Sequence, residues 1–462
     1  MYFRVYLSGE TGAAGMGVYQ LTVTVYAVFA LIATSGLTVT VTRLCSEQNC
    51  QGRDIYITGR FLISGAVLGS VLGLLLFCFA GVISSCIPGS ADAAPALRIL
   101  APGLPLMSLS AVLRGFFAAR RKMVFTAAEQ LTEQVFEIGI CIALFRLFPP
   151  CCTTAAVTEA VAGATAAEGI SLVLMSVLYL REKRLISAPP ARTERLISRA
   201  LPIALPCTAN AGLRSALSAI ENIIIPIGLI KHGTDSAEAL MQYGIITGMA
   251  MPVIVFPSVF ILPFASLIIP EMAQARTLRH TNGIRHMTRR MIAGIMQFSV
   301  PVMLMLIFFS RDIGISLFSS DCAGTYIAAL APVVPLMYLD SGVDGILKGL
   351  NEQTGYFLIN LADSVIRVIL TYILVPAAGI PGVIAVIVIS ELLNTVLSLL
   401  RLIKVTGISL SPADDILRPA ICAVIPCMLL NSLHLPVPAE IVLCILFCIT
   451  AMLLTGKAKR KV

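Results

Sequence analysis

The chain has 462 residues, of which 57% are hydrophobic and 13% are charged, whereas a soluble domain carries about 25% charged residues. The mean hydropathy is +0.91, a value that excludes a soluble enzyme and makes a nucleic-acid-binding protein untenable. The apolar segments do not alternate polar and apolar positions as barrel strands do, so the composition predicts an all-α polytopic membrane protein.

Thirteen apolar segments are long enough to cross a bilayer as helices, which takes about 20 residues. In chain order they lie at 17–45, 61–87, 95–119, 123–147, 153–180, 200–230, 241–272, 291–310, 325–347, 355–377, 380–403, 413–433 and 438–455. We therefore predict about 13 transmembrane helices.

The basic residues predict the orientation of these helices. One set of alternate loops, together with the C-terminal tail, carries 24 Lys and Arg residues, and the other set carries 5. Since basic loops stay in the cytoplasm, we expect a multi-pass protein of the cell membrane with a cytoplasmic C-terminus. The bias also explains the net charge of +8 without a nucleic-acid partner. The 13 cysteines and 4 histidines show no metal-ligand spacing, so we expect no metal and no cofactor.

The sequence contains an internal repeat with an offset of 230 residues. "APGLPLMSLSAVLRG" at 101–115 aligns with "APVVPLMYLDSGVDG" at 331–345. The alignment continues without a gap, so that Glu133 meets Asp363 and Glu137 meets Arg367. At the same offset Leu37 meets Leu267 further upstream. The repeat predicts two homologous helical lobes, parallel in the membrane, as in transporters with duplicated halves.

The repeat also predicts the domain limits. The helix predicted at 200–230 has no counterpart at this offset, and residues 2–16 would form the outer loop that follows it. We therefore expect that the first helix of the N-terminal lobe is absent and that the intact architecture has 14 helices. The expected domains are the N-terminal lobe at 1–181, a cytoplasmic linker at 182–198, the core of the C-terminal lobe at 199–404, and the last two helices with the basic tail at 405–462.

Several segments resemble a known family. They are "RVYLSGETGAAGMGVYQL", "TSGLTVTVTRLCSEQ", "LRGFFAARRKMVFTAAEQLTEQ", "LPIALPCTANAGLRSALSAIENIIIPIGL", "YGIITGMAMPVIVFP" and "LIIPEMAQA". Their order and spacing are similar to the stage V sporulation protein B family, a polysaccharide-type branch of the multidrug/oligosaccharidyl-lipid/polysaccharide superfamily. The resemblance implies two lobes and alternating access for a lipid-linked saccharide. The chain departs from the family at Thr38, where proline is usual, and at Glu137, where arginine is usual.

Charged residues inside the predicted helices are the candidate site. Each costs about 2.5–3.5 kcal/mol near the bilayer centre, so such residues face the bundle interior or a wet cavity. The candidates for substrate binding are Arg43, Arg114, Arg214, Arg367, Glu133, Glu137 and Asp363. The acids expected to couple ions or to hold helices together are Glu221, Asp340, Asp344 and Glu129.

The stretch "EQLTEQVFE" at 129–137 carries three of these acids four residues apart, which places them on nearly one helix face. They form either a cavity wall or a structural network, with Arg114 on the preceding helix as a candidate partner. Asp363 and Arg367 have the spacing of a pair within one helix. We also expect Glu137 to pair with Arg367 across the repeat.

Two weaker patterns concern packing and bending. Gly65, Gly69 and Gly73 form a GxxxGxxxG face, which favours close helix packing. Prolines interrupt several predicted helices and act either as hinges or as static kinks.

Two functions agree with these observations. The first is an alternating-access flippase or exporter of an undecaprenyl-type lipid-linked oligosaccharide or peptidoglycan-type precursor, for cell-envelope or spore synthesis. The second is a cation-coupled multidrug antiporter of the same superfamily, in which carboxylates bind H⁺ or Na⁺. Membrane lipids are the remaining partners expected, and no catalytic residue is expected.

Overall fold

The computed structural model describes residues 1–48, 54–85, 93–184 and 196–408. Ten helices within these ranges are long and apolar enough to cross a membrane, which confirms the all-α polytopic fold. Helix α5 is long enough as well, but it carries Glu129, Glu133 and Glu137. The helices predicted at 413–433 and 438–455, and the basic tail, lie outside the described residues.

The first half of the chain forms seven helices. They are α1 (Tyr2–Gln48), α2 (Asp54–Ser85), α3 (Ala93–Leu100), α4 (Gly103–Ala119), α5 (Met123–Leu147), α6 (Thr153–Arg184) and α7 (Leu196–His232). The prediction of a loop at 2–16 is wrong, because α1 runs through this stretch and is interrupted only at Gly12, with φ 67° and ψ −177°. The stretch contains no proline, so the helix continues on both sides of the glycine.

The second half begins with a broken helix at the segment predicted as 241–272. It consists of α8 (Ser236–Tyr243), a π-helix (Gly244–Ala250), α9 (Met251–Val255), a 3₁₀ segment (Phe256–Phe260) and α10 (Leu262–Thr277). Pro252, Pro257 and Pro263 lack backbone N–H donors, so an uninterrupted α-helical ladder cannot form here.

The remaining helices follow in the order expected from the repeat. They are α11 (Thr281–Phe308), α12 (Ser310–Phe318), α13 (Asp321–Leu330), a 3₁₀ turn (Ala331–Val333), α14 (Val334–Gly349), α15 (Gln353–Ala378) and α16 (Ile380–Thr406). Helices α5 and α15 begin 230 positions apart. Arg121 (φ 58°) and Asn351 (φ 56°) stand in the turns before these two helices, and both have a left-handed backbone conformation. They are also 230 positions apart.

One part of the repeat alignment is wrong by three residues. The backbone oxygen of Thr38 lies against Gly115, and the backbone oxygen of Ala265 lies in the same way against Gly345. Thr38 and Ala265 are therefore equivalent, an offset of 227, and Leu37 corresponds to Phe264 rather than to Leu267. Gly65 follows Thr38 by 27 positions, whereas the equivalent Ile295 follows Ala265 by 30 positions, and this difference restores the offset of 230 further on.

The described chain divides into two compact units. The first contains Glu10–Ile227 and Asp235–Met241, and the second contains Met1–Gly9, Gly228–Thr234 and the described residues from Gln242 onward. Most of α7 therefore packs in the first unit, which we call the first lobe. The second unit is called the second lobe, and the domain limits drawn from the repeat stay a prediction.

The glycine face of α2 packs against α4, as the GxxxGxxxG pattern predicts. A Cβ atom on Gly69 would lie 2.6 Å from Pro105 Cα and 2.9 Å from the Leu104 backbone oxygen. A Cβ atom on Gly73 would lie 2.7 Å from the Ala101 oxygen. Because these neighbours are backbone atoms, the two helices must separate to admit a side chain.

We expect Gly69→Ala to lower the free energy of unfolding by about 1–3 kcal/mol, the usual cost of overpacking. Gly81→Ala, on the same helix, is the matched control, because no atom lies within 4 Å of its added Cβ. It should leave stability unchanged or raise it by about 0.5–1 kcal/mol. Thermal unfolding of the purified protein in detergent measures both, and equal melting temperatures for the two variants would contradict the packing.

Candidate functional site

The first lobe contains a cluster of carboxyl groups on α5 and α6. Glu129 is fully buried, and Glu168 of α6 is 5% exposed. Glu133 is half-buried, and its carboxyl group lies close to that of Glu168. We call Glu129, Glu133 and Glu168 the first-lobe acid cluster.

Arg114 of α4 supplies the positive charge beside this cluster. Its Nη1 lies 3.8 Å from Glu129 Oε1, and its side chain is 21% exposed. This ion pair confirms the partner expected from the sequence. No hydrogen bond from the described residues reaches either oxygen of Glu129, so a buried carboxyl group is held by one long ion pair. Such a group is costly unless it gains a proton, a cation or water.

Tyr26 of α1 closes the cluster from a third helix. Its hydroxyl donates to the sulfur of Met107 at 3.2 Å and lies near Glu133 and Glu168. The candidates drawn from the sequence include neither Glu168 nor Tyr26. A single tyrosine in an apolar helix gives no periodic signal, and only the packing of α1 against α4 reveals it.

Glu137, the third acid of α5, lies outside this cluster. It is half-buried and accepts a hydrogen bond from Gln134 at 3.0 Å. The three acids of "EQLTEQVFE" therefore do not form one uniform track. Two of them belong to the first-lobe acid cluster and the third bonds within its own helix.

The second lobe places a denser network at the equivalent site of α15 and α16. Arg367 Nη2 lies 2.8 Å from Glu391 Oε1 and 3.9 Å from Asp363 Oδ2, which confirms the pair expected within α15. Arg367 Nε donates to Ser390 Oγ at 2.9 Å, and that hydroxyl donates to Asp363 Oδ1 at 2.5 Å. Arg367 is therefore the cation that faces two carboxylates of its own lobe and the hydrogen-bond donor to one hydroxyl.

Asp340 and Asp344 on α14 have separate partners. Asp344 Oδ2 accepts from Lys348 Nζ at 2.6 Å, and Asp340 lies near the Ser398 side chain of α16. At the offset of 230, Asp340 corresponds to Ser110 and Ser398 to Glu168. Each lobe therefore places one acid and one serine at these two positions, but on opposite helices.

The other predicted residues lie apart along α1 and α7. Arg43, near the end of α1, and Arg214, in the middle of α7, are exposed. Glu221 is half-buried and has an interaction partner. Arg214 has no ion pair within the part of the chain that the structure describes.

A third network, at the ends of α2, α4 and α6, was missed by the sequence analysis. Arg120 Nη2 lies 2.6 Å from Asp54 Oδ2, and its Nη1 lies 3.1 Å from Glu182 Oε2. Lys122 Nζ lies 2.5 Å from Glu182 Oε1. Asp54 is 1% exposed, so this network ties three helices together below their surface. In the sequence, Arg120 and Lys122 contribute only to the loop charge that predicts membrane orientation.

The chain has membrane-length helices in two repeats, with charged side chains inside them. Polytopic membrane proteins built in this way are typical of secondary transporters. The chain belongs to the family described as polysaccharide biosynthesis protein, whose model matches residues 1–276. It is 22% identical over 433 residues to stage V sporulation protein B of Bacillus subtilis, covering 91% of this chain and 83% of that protein. This finding confirms the resemblance drawn from the motifs.

Two solved structures share the fold. The lipid II flippase MurJ, in an inward closed conformation, has a TM-score of 0.77 at 13% identity, covering 99% of this chain and 96% of the other. An inward-facing multidrug resistance transporter of the MATE family, of the MOP superfamily, has a TM-score of 0.69 at 15% identity, covering 88% and 94%. At these identities the likeness concerns the fold alone.

Proposed function

We propose that the chain moves a lipid-linked saccharide precursor of the cell envelope across the membrane by alternating access. The substrate class combines an isoprenoid tail, a phosphate or pyrophosphate and a sugar. Family membership and the lipid II flippase fold support this class. The charge bias of the loops supports a cytoplasmic C-terminus, so the precursor would be loaded from the cytoplasmic side.

The observation that carries the proposal is the exposed guanidinium of Arg214. It lies in the middle of an apolar helix and has no ion pair among the described residues. An arginine facing lipid at this depth is costly, so it faces a wet surface or an anionic ligand. Arginine binds phosphate oxygens with two parallel hydrogen bonds, and a lipid pyrophosphate offers such oxygens.

The first-lobe acid cluster supplies a coupling site in this proposal. Protonation of the Glu133–Glu168 pair removes a negative charge beside Arg114, and the buried Glu129 then becomes its main counter-ion. Proton release would reverse this change. The site could hold Na⁺ instead, since carboxylate oxygens suit this hard cation as well.

We expect Arg214→Gln to reduce translocation by about tenfold, the effect of losing one charge-assisted hydrogen bond. Purified protein in liposomes is supplied with a fluorescent lipid-linked saccharide, and quenching from outside reports its movement. Arg214→Lys should retain part of the activity, since it keeps the charge but loses the bidentate geometry. Arg181→Gln, an exposed position at the end of α6, is the matched control and should transport normally.

A cation-coupled antiporter is the second candidate, favoured by one observation. The first-lobe cluster holds three carboxyl groups against one arginine, a balance that suits an organic cation better than a phosphate. The same liposomes loaded with a fluorescent organic cation discriminate the two functions. Efflux that depends on Glu133 and ignores Arg214, without movement of the lipid-linked saccharide, would replace the flippase proposal.

A further inference from the structure

The hairpin formed by the end of α10 and the start of α11 carries a strongly basic surface. Residues 271–290 contain one acidic residue, Glu271, and five arginines, so their formal charge is +4 when the histidines are neutral. All five arginines and both histidines of this stretch are exposed. They form what we call the basic hairpin surface: Arg276, Arg279, His280, Arg285, His286, Arg289 and Arg290.

The arginines of this surface lack acidic partners. None of the five forms an ion pair with any residue that the structure describes. This includes Arg290, although it lines the same groove between the two helices as Glu271. Four basic residues at other helix ends on the same predicted side of the membrane each contact a carboxylate. They are Arg120, Lys122, Lys348 and Arg401. Membrane orientation alone therefore does not explain why this hairpin is left without counter-charges.

The arginines of α11 are placed where they destabilise their own helix. Arg285 and Arg289 are four residues apart, a spacing at which like charges repel on a helix surface. Arg290 follows directly, and the first turn of α11 contains no acidic residue that could offset them. A negatively charged partner on this face would remove the repulsion.

Three of the arginines lie at the depth of a lipid headgroup layer. The apolar part of α11 begins at Met291, and Arg290, Arg289 and Arg285 lie roughly 1.5, 3 and 9 Å before it along the helix axis. A headgroup layer is roughly 5–8 Å thick on each side of the bilayer. Arg285 is also held in place, because its Nε donates to the backbone oxygen of Thr406 at 3.0 Å.

We propose that the basic hairpin surface binds the phosphate headgroups of anionic phospholipids, with Arg285, Arg289 and Arg290 as the main contacts. Arginine donates two parallel hydrogen bonds to a phosphate group. Basic residues near an anionic membrane surface each add to the attraction. An acidic protein would fit better if the arginines were gathered at the tip of the hairpin, but only Arg276 and Arg279 lie there.

Native mass spectrometry of the full chain in detergent micelles tests this binding. Protein freed of lipid is titrated with phosphatidylglycerol or with phosphatidylcholine, and the bound lipids are counted. The wild-type protein should bind phosphatidylglycerol more tightly. Arg289→Gln with Arg290→Gln should weaken that binding by roughly 25-fold, the combined effect of two basic residues at an anionic surface. Its binding of phosphatidylcholine should not change.

Two further variants separate this surface from net charge and from folding. Arg289→Lys with Arg290→Lys keeps both charges and should bind within about threefold of the wild type. Lys348→Gln with Arg401→Gln is the matched control, because it removes the same charge from paired positions of the same lobe. Thermal unfolding in lipid-free micelles checks that each variant is folded. If the double glutamine variant unfolds, Arg290→Gln alone replaces it, with an expected loss of roughly fivefold.

Three results would overturn the proposal. The first is equal binding of the two lipids by the wild type, which would leave an acidic protein as the partner of this surface. The second is an equal loss of binding in the matched control, which would make net charge the cause. The third is displacement of phosphatidylglycerol by an equal concentration of inorganic pyrophosphate, which would make a soluble phosphate the ligand. Transport of the lipid-linked saccharide plays no part in this readout, so it is independent of the proposed function.

Discussion

Arg120→Gln is expected to lower the free energy of unfolding by about 3–5 kcal/mol, the usual cost of removing one partner from a buried ion pair. The substitution leaves Asp54, which is 1% exposed, and Glu182, which is 14% exposed, without their shared cation. It also removes the guanidinium that lies 4.6 Å from the Phe116 ring centre. Unfolding in mixed detergent micelles measures the loss.

The double variant Arg120→Gln with Asp54→Asn should recover part of that stability, because the buried carboxylate is then neutral. Arg311→Gln is the matched control, since its ion pair with Asp321 is 76% and 63% exposed and is worth about 0.2–1 kcal/mol. If Arg120→Gln costs no more than Arg311→Gln, the network does not hold α2, α4 and α6 together.

Arg367→Gln is expected to cost a similar 3–5 kcal/mol in the second lobe. It leaves Asp363 and Glu391 facing each other without a cation, and Ser390 without its donor. Lys348→Gln is the control, because its pair with Asp344 is within one helix turn and half exposed, so its loss should cost about 0.5 kcal/mol.

A double-mutant cycle of Arg367→Gln with Glu391→Gln should give a coupling energy of about 1–3 kcal/mol. Additive effects would mean that the 2.8 Å contact contributes little to stability. The pairing of Glu137 with Arg367 expected from the sequence stays a prediction. The corresponding cycle tests it in the same background.

The sequence predicts the helices well, because twenty apolar residues in a row have few alternatives in a membrane protein. It does not predict the local helix geometry that depends on backbone hydrogen bonds. The prolines near 252–263 are visible in the sequence, but the combination of π, α and 3₁₀ turns that they produce is not. The three-residue difference between α1 and α10 is also hidden, since one leucine match at an offset of 230 is too weak to fix a register.

The sequence predicts an ion pair of the candidate site where its two residues are one helix turn apart or lie on adjacent helices. Asp363 with Arg367 follows from helix spacing, and Arg114 with Glu129 follows from adjacent helices. Arg120 with Asp54 is missed, because the two residues are far apart in sequence and each lies at a helix end, where charges are ordinary. Only the packing of α2 against α4 makes that pair buried.

The broken helix between α8 and α10 has a consequence for the mechanics of the second lobe. In a regular helix, a sharp bend must first break i→i−4 hydrogen bonds. Pro252, Pro257 and Pro263 have no N–H group to donate such a bond. In the π turn at Gly244–Ala250, each hydrogen bond joins residues five apart instead of four. Bending stiffness along this segment is therefore uneven and is lowest between Gly244 and Pro263, while α10 lacks one further hydrogen bond at Pro270. A bending load along the segment would deform it first between Gly244 and Pro263.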